Sequence, residues 1–155
     1  MPRRKKAYFK AETDSPPPLS AETKRKVRFE EVDPLGIVWH GRYPSYLEDG
    51  RVALGDKFDL SYIRMRKENF YAPIVQMHLD YHHPLKYQEE MTIIATLHWS
   101  EAARLNFEYE IINQAGQAAA TGYTVQLLTN IDKEMLMMRP EYVEKFYERW
   151  KKGIL

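Results

Sequence analysis

The sequence predicts an α+β domain in which an antiparallel sheet packs against one long helix. Three observations predict it. Four stretches in the second half alternate apolar and polar residues with period two. One stretch ahead of them repeats its apolar residues at helical spacing. The linkers between the alternating stretches are short, which suits antiparallel neighbours.

The elements follow in chain order. The chain has 155 residues, a length that fits one domain. Its first part, residues 1–26, differs from the rest. It holds the basic runs Arg3-Arg4-Lys5-Lys6 and Lys24-Arg25-Lys26 and the turn-prone Asp14-Ser15-Pro16-Pro17-Pro18. We read it as a basic, Pro-rich N-terminal arm without a core of its own, docked at most through Tyr8, Phe9 and Leu19. A basic run alone is weak support for nucleic-acid contact, so no nucleic-acid partner is expected. The folded domain is then expected over residues 27–155.

Val27 to Val32 alternates and reads as a short strand. Asp33-Pro34-Leu35-Gly36 reads as a turn, with Pro and Gly as punctuation. Ile37-Val38-Trp39 is a brief extended piece. Arg42 to Phe58 reads as a helix, because Tyr43, Leu47, Gly50, Leu54 and Phe58 form one stripe. Pro44 suits its first turn, and Gly50 on the stripe would let the helix approach a sheet closely. Asp59 to Ala72 carries no clear period. The strands expected next are Ile74–His83, Met91–Trp99, Leu105–Ile111 and Ala119–Ile131. A last helix is expected over Glu141–Lys152, with Tyr142, Phe146 and Trp150 at helical spacing after Pro140.

Composition excludes several chemistries. Lys plus Arg number 23 against 22 Asp plus Glu, so no strong net field demands an anionic partner. There is no cysteine, hence no disulfide, thiolate metal site or cysteine nucleophile. No apolar run approaches the roughly 20 residues of a membrane helix, and the start lacks an apolar signal segment. Cytoplasmic location without membrane insertion is the expectation. There is no Gly-rich phosphate loop, no Gly-x-Ser-x-Gly elbow and no His-Glu-x-x-His. His78, Asp80 and His82 share one strand face, but residues in line along a strand rarely converge on one ion, so no metal is expected.

The chemistry concentrates between Phe29 and Tyr43. A carboxylate, Asp33, sits in a tight loop, and a helix begins soon after. A helix start presents unpaired backbone N–H groups and the positive end of its dipole. A thioester carbonyl placed there would have its developing oxyanion stabilised. The carboxylate could then attack the carbonyl or activate water.

Asp33-Pro34-Leu35-Gly36-Ile37-Val38-Trp39-His40, with Tyr43 three residues on, resembles the signature of the 4-hydroxybenzoyl-CoA thioesterase family of hot-dog proteins. Tyr81-His82-His83-Pro84, Ala103 to Ile111 and Arg139-Pro140 are similar to further family segments. The resemblance implies a hot-dog fold: a five-stranded antiparallel sheet wrapped around one long central helix, plus a C-terminal helix. It implies a hydrolase acting on an acyl-CoA or acyl carrier protein thioester, with no separate cofactor because coenzyme A is part of the substrate. It implies a homodimer or a dimer of dimers with sites at the interface. Carried over, Asp33 is nucleophile or general base, His40 flanks the reacting carbonyl, and backbone N–H groups near His40 or Gly41 form the oxyanion hole. Trp39 and Tyr43 shape the pocket. Glu48 faces the acyl group or instead pairs with Arg51. Arg104 and Arg139 contact phosphates or serve as ordinary surface charge. The competing readings are a non-catalytic hot-dog module that binds acyl thioesters and a hot-dog hydratase or dehydratase. The former has no use for Asp33 with His40, and the latter needs a different Asp and His arrangement.

Overall fold

A computed structural model describes residues 7–155. The basic run Arg3 to Lys6 lies outside the described residues. The main sheet has five antiparallel strands in the order β1-β4-β5-β6-β3. They are β1 (Leu19–Lys26), β3 (Ile74–Tyr81), β4 (Glu90–His98), β5 (Arg104–Ile112) and β6 (Ala118–Leu127). A two-stranded piece pairs β2 (Phe70–Tyr71) with β7 (Thr129–Asn130). The helices are α1 (Tyr43–Phe58), α2 (Tyr62–Lys67) and α3 (Glu141–Lys151).

The central helix lies on the sheet as its stripe predicts. Tyr43, Leu47, Gly50 and Leu54 are buried, joined by Tyr46, Arg51 and Gly55. They meet the inward residues Ile93, Ala95, Leu97, Phe107, Tyr109 and Ile111, all buried in the same apolar cluster. Gly50 is needed for the close approach: a Cβ there would stand 2.9 Å from Ile93 Cγ2 and 3.3 Å from Ala95 Cβ.

Two expectations are corrected. The first strand is Leu19–Lys26 rather than Val27–Val32. It pairs with β4 along its whole length, from Leu19 opposite Leu97 to Lys26 opposite Glu90. The segment read as a coreless arm therefore contains an edge strand of the domain. Its disguise is physical: only Ala21 of this strand is buried, and Glu22, Lys24 and Lys26 give it the charged character that protects a sheet edge. Val27–Val32 is instead a connection with a short 3-10 turn, Phe29–Glu31. There Phe29 is exposed and Glu31 is buried, the reverse of what apolarity suggests. Glu31 is held by Arg25 at 2.6 Å and by the Arg28 backbone N–H at 2.8 Å.

Residues ahead of β1 also have a place. The Tyr8 hydroxyl donates to Asp80 Oδ2 at 2.6 Å on the outer face of the sheet and lies 2.9 Å from Thr121 Oγ1. Phe9 packs between His98 and Tyr123. Trp150 of α3 donates its indole N–H to the Pro17 carbonyl at 2.9 Å.

The two sheet edges differ. β1 offers alternating charges, whereas β3 exposes Ile74, Val75, Met77 and Tyr81. Met77, Leu79 and Tyr81 stand opposite Thr124, Gly122 and Ala120 of β6, three residues buried on the inner face. The inner face thus continues past the cover that α1 gives it.

The last long alternating run ends as a strand at Leu127. Leu128, fully buried, separates it from β7, which turns to pair with Phe70–Tyr71. The stretch without a clear period holds α2, capped by the Ser61 hydroxyl, which accepts the Arg64 N–H at 3.1 Å.

Candidate active site

The loop that carries Asp33 is closed on both sides by backbone pairing. Val32 bridges Val38, and the Asp33 N–H donates to the Ile37 carbonyl at 2.8 Å. Gly36 takes φ +78°, which a side chain would strain, and its N–H donates back to the Asp33 carbonyl at 2.9 Å. Ile37 bridges Lys86, and the Val38 N–H donates to the Leu85 carbonyl, so the β3–β4 turn buttresses the loop. Asp33 itself is half-buried. Its Oδ1 accepts the Leu35 N–H at 2.8 Å, which fixes the carboxylate and leaves Oδ2 for other work.

After Trp39 the chain enters a 3-10 turn, His40–Arg42, that runs directly into α1. No side chain caps either start. Within the turn the Arg42 N–H donates to the Trp39 carbonyl at 2.9 Å, which leaves the N–H groups of His40 and Gly41 without a partner among the described residues. Gly41 lets the Trp39 ring lie close over the turn, since a Cβ there would stand 2.3 Å from it and the ring would have to swing away. Trp39 packs on His40 with centroids 5.0 Å apart, and both are exposed. Tyr43 is buried, and burial pushes its hydroxyl up to about 12. It stays a neutral phenol, packed edge-on against the Tyr81 ring.

Sequence reasoning missed Tyr81. Its hydroxyl donates to the His40 carbonyl at 2.7 Å, and its ring meets Tyr43 edge-on at 4.9 Å. It also missed Arg25, which joins Glu31 to Asp49 of α1 at 2.8 Å and stacks over Tyr46. This network anchors the chain just before Asp33. The only signal in the sequence was a charged pair six residues apart, which no periodicity marks.

The other expected site residues lie away from the Asp33 loop of their own chain. Glu48 pairs with Arg51, one turn along α1. Arg104 opens β5 at the sheet end shared with Gln126 and Ile74, away from Tyr81. Arg139 is a buried clamp for α3. It donates to the Ser100 carbonyl, lies 3.4 Å from Glu144 and stacks over Tyr147 at 4.0 Å. None of these partners belongs to the Asp33 loop, so the structure does not bring Arg139 to the site. Among the described residues, no group of three or more His, Cys, Asp or Glu is placed to hold a metal. His78, Asp80 and His82 instead engage Tyr8 and Thr121. No helix among the described residues is long and apolar enough to cross a membrane.

A five-stranded antiparallel sheet wrapped round one long helix, with a further helix near the C-terminal end, is the architecture of hot-dog thioesterases. The chain belongs to the thioesterase-like superfamily, whose sequence model matches residues 27–147. It is 28% identical over 125 residues to the Bacillus subtilis (strain 168) protein named "Putative acyl-CoA thioesterase YneP", covering 81% of this chain and 88% of that one. Among solved structures it is similar to DHNA-CoA thioesterase from Staphylococcus aureus, with TM-score 0.77 and 25% identity over 86% of this chain and 90% of that one. A hypothetical protein, TT1821 from Thermus thermophilus, superposes with TM-score 0.74 and 27% identity, over 87% and 99% of the two chains.

Proposed function

We propose that the protein hydrolyses acyl-CoA thioesters as a homodimer, with Asp33 as the reacting carboxylate. The observation that carries this reading is the pairing of Asp33, its Oδ1 fixed by Leu35, with the uncapped turn at His40–Arg42. The thioester carbonyl oxygen would face the N–H groups near His40 and Gly41, which stabilise the negative charge as it develops. Asp33 then acts in one of two ways. As nucleophile it forms a mixed anhydride and expels the thiolate, and water cleaves the anhydride to return the carboxylate. As general base it takes a proton from water, which attacks the carbonyl carbon, and the thiolate leaves with a proton. Either way one water is consumed, and one acid and one thiol are released. His40 would orient the carbonyl or water, and Trp39 and Tyr43 would wall the reacting group.

Dimerisation is part of the proposal. β3 is an edge whose exposed face is apolar, which in isolation invites pairing. A second copy continuing the sheet through β3 would cover Val75, Met77 and Tyr81. The relatives named for coenzyme A thioesters support that carrier over an acyl carrier protein. The test is thiol release from aromatic, short and long acyl-CoA thioesters, with the same acyl groups on carrier protein. Release from at least one acyl-CoA at kcat/KM of about 10⁴ M⁻¹s⁻¹ or more supports the reading. Release from carrier protein alone would overturn the choice of carrier, and release from neither would overturn the activity.

A further inference from the structure

We propose that the cavity at the end of β1 binds a phosphate-bearing nucleotide, with Lys24, Lys26 and Arg28 on the phosphates and the rings of Phe29 and Tyr87 against the base. That chemistry has two sources: the nucleotide end of an acyl-CoA substrate, or a free nucleotide. Only the first source rests on the thioesterase reading above.

The cavity has a volume of about 650 Å³ and lies between the end of β1, α1 and the turn from β3 to β4. Ligand cavities of roughly 300–1,000 Å³ take molecules of this size. Backbone pairing fixes its wall. The Val27 N–H donates to the Glu89 carbonyl at 2.9 Å, and the Gln88 N–H donates to the Val27 carbonyl at 3.2 Å.

The lining specifies the ligand. Four cations, Lys24, Arg25, Lys26 and Arg28, face one carboxylate, Asp49, which Arg25 already answers at 2.8 Å. The other three cations are loosely held. Lys24 lies 3.6 Å from Glu90 and Arg28 lies 4.0 Å from Glu30, and all four of these side chains are more than half exposed. Exposed pairs of this kind are weak, so an anion can replace them. Lys24 and Lys26 share one face of β1, and Arg28 follows two residues on, a row of about 13 Å at the rise of a strand. Such a row meets more than one phosphate. Beside it Phe29 is 75% exposed and Tyr87 48%, yet their rings meet edge-on at 5.9 Å. Exposed rings next to a cationic row are what a base stacks on. Phosphate alone would leave the rings bare, and a neutral aromatic would leave the cations unanswered.

The cavity is apart from the place proposed for the thioester. The His40 turn is tied to Tyr81 of β3, and β3 and β1 are opposite edges of the sheet. It is still within reach of the Asp33 loop. Arg28 and Asp33 are joined by a path of at most about 18 Å when extended, which the pantetheine arm of coenzyme A can span. Arg139, expected to meet phosphates, is turned onto Tyr147 and the Ser100 carbonyl instead. For a free nucleotide the route to the loop is Arg25, which lines the cavity and holds Glu31 at 2.6 Å, just before Asp33.

The probe is adenosine 3′,5′-bisphosphate, with adenosine as the control that lacks phosphate, and calorimetry on the full chain reads their binding. The bisphosphate is expected to bind about tenfold or more tightly than adenosine. Lys26→Ala combined with Arg28→Ala should weaken it by about tenfold or more. Phe29→Ala, which keeps every cation, should weaken it by about fivefold or more. No binding at millimolar bisphosphate, or binding that both variants leave unchanged, overturns the proposal. A second measurement assigns the source, with one acyl group carried on coenzyme A and on N-acetylcysteamine, a thiol without a nucleotide. If the nucleotide is the substrate's own, the double variant lowers the ratio of kcat/KM for the acyl-CoA over the short thioester by about tenfold, and the bisphosphate competes with the acyl-CoA alone. If it is a free ligand, that ratio holds and the bisphosphate changes turnover of the short thioester. Thioester hydrolysis without nucleotide binding sinks this inference and leaves the thioesterase reading standing. Nucleotide binding without hydrolysis of any thioester does the reverse.

Discussion

The Tyr81 hydroxyl donates to the His40 carbonyl at 2.7 Å, tying the end of the exposed edge strand to the turn that opens the central helix. The bond makes the geometry of the proposed oxyanion site depend on β3. Anything that pairs with β3 therefore acts on the same few atoms.

Tyr81→Phe removes that bond and little else, because its ring contact with Tyr43 survives. A neutral hydrogen bond contributes about 1 kcal/mol, so kcat/KM is expected to fall roughly threefold to tenfold. Urea unfolding checks that stability changes by no more than about 1.5 kcal/mol. An unchanged kcat/KM would show that the tie does not position the turn.

Gly50→Val should destabilise the fold by about 2 kcal/mol through overpacking. The added atoms meet Ile93 and Ala95 at distances no side chain tolerates without movement. Chemical denaturation measures this directly, and a neutral result would mean that α1 is free to lift from the sheet.

Deleting residues 1–26 should abolish the folded state, since it removes β1 from its pairing with β4. Deleting residues 1–15 should leave the fold and uncover Tyr123, His78 and His98. With that face bare, self-association is the expected consequence, read by light scattering. A folded, active product of the longer deletion would contradict the place given to β1.

The contact of Tyr8 with the sheet should weaken in acid. The Tyr8 hydrogen bond, then that from His78, holds the Asp80 carboxyl below its ordinary 3.8, with the charge of His82 acting in the same direction. A lowered folded-state value contributes stability above the unfolded value, and the contribution is lost as pH falls through the folded value. The stability difference between native protein and Tyr8→Phe is therefore expected to be full above about pH 4 and to shrink below it. A difference that grows in acid would reverse the assignment.

Much of this molecule was legible in the sequence, for reasons that particular residues make clear. The α1 stripe from Tyr43 to Leu54 and the alternation of β4 and β5 signal burial on one face, and burial is what periodicity reports. Asp33 and Gly36 were legible because a tight turn demands their types. β1 was not legible, because an edge strand covered mainly on one side keeps a polar sequence. The pairing of Glu48 with Arg51 was legible from its spacing, whereas the burial of Glu31 and of Arg139 was not. Each is a charge whose burial depends on a partner brought by tertiary folding, and residue type alone suggests the opposite. Tyr81 was read as strand; its partner is a backbone carbonyl 41 positions earlier, which no local pattern encodes.

The central claim is that the Asp33 carboxylate does the chemistry, and Asp33→Asn tests it most directly. Asparagine keeps Oδ1 as an acceptor for the Leu35 N–H, so the loop should hold its shape while losing the charge and the nucleophile. Thiol release from the best acyl-CoA substrate is expected to fall by about 10²-fold or more, with the urea midpoint close to that of the native protein. Turnover near the native rate in a folded Asp33→Asn protein would contradict the account.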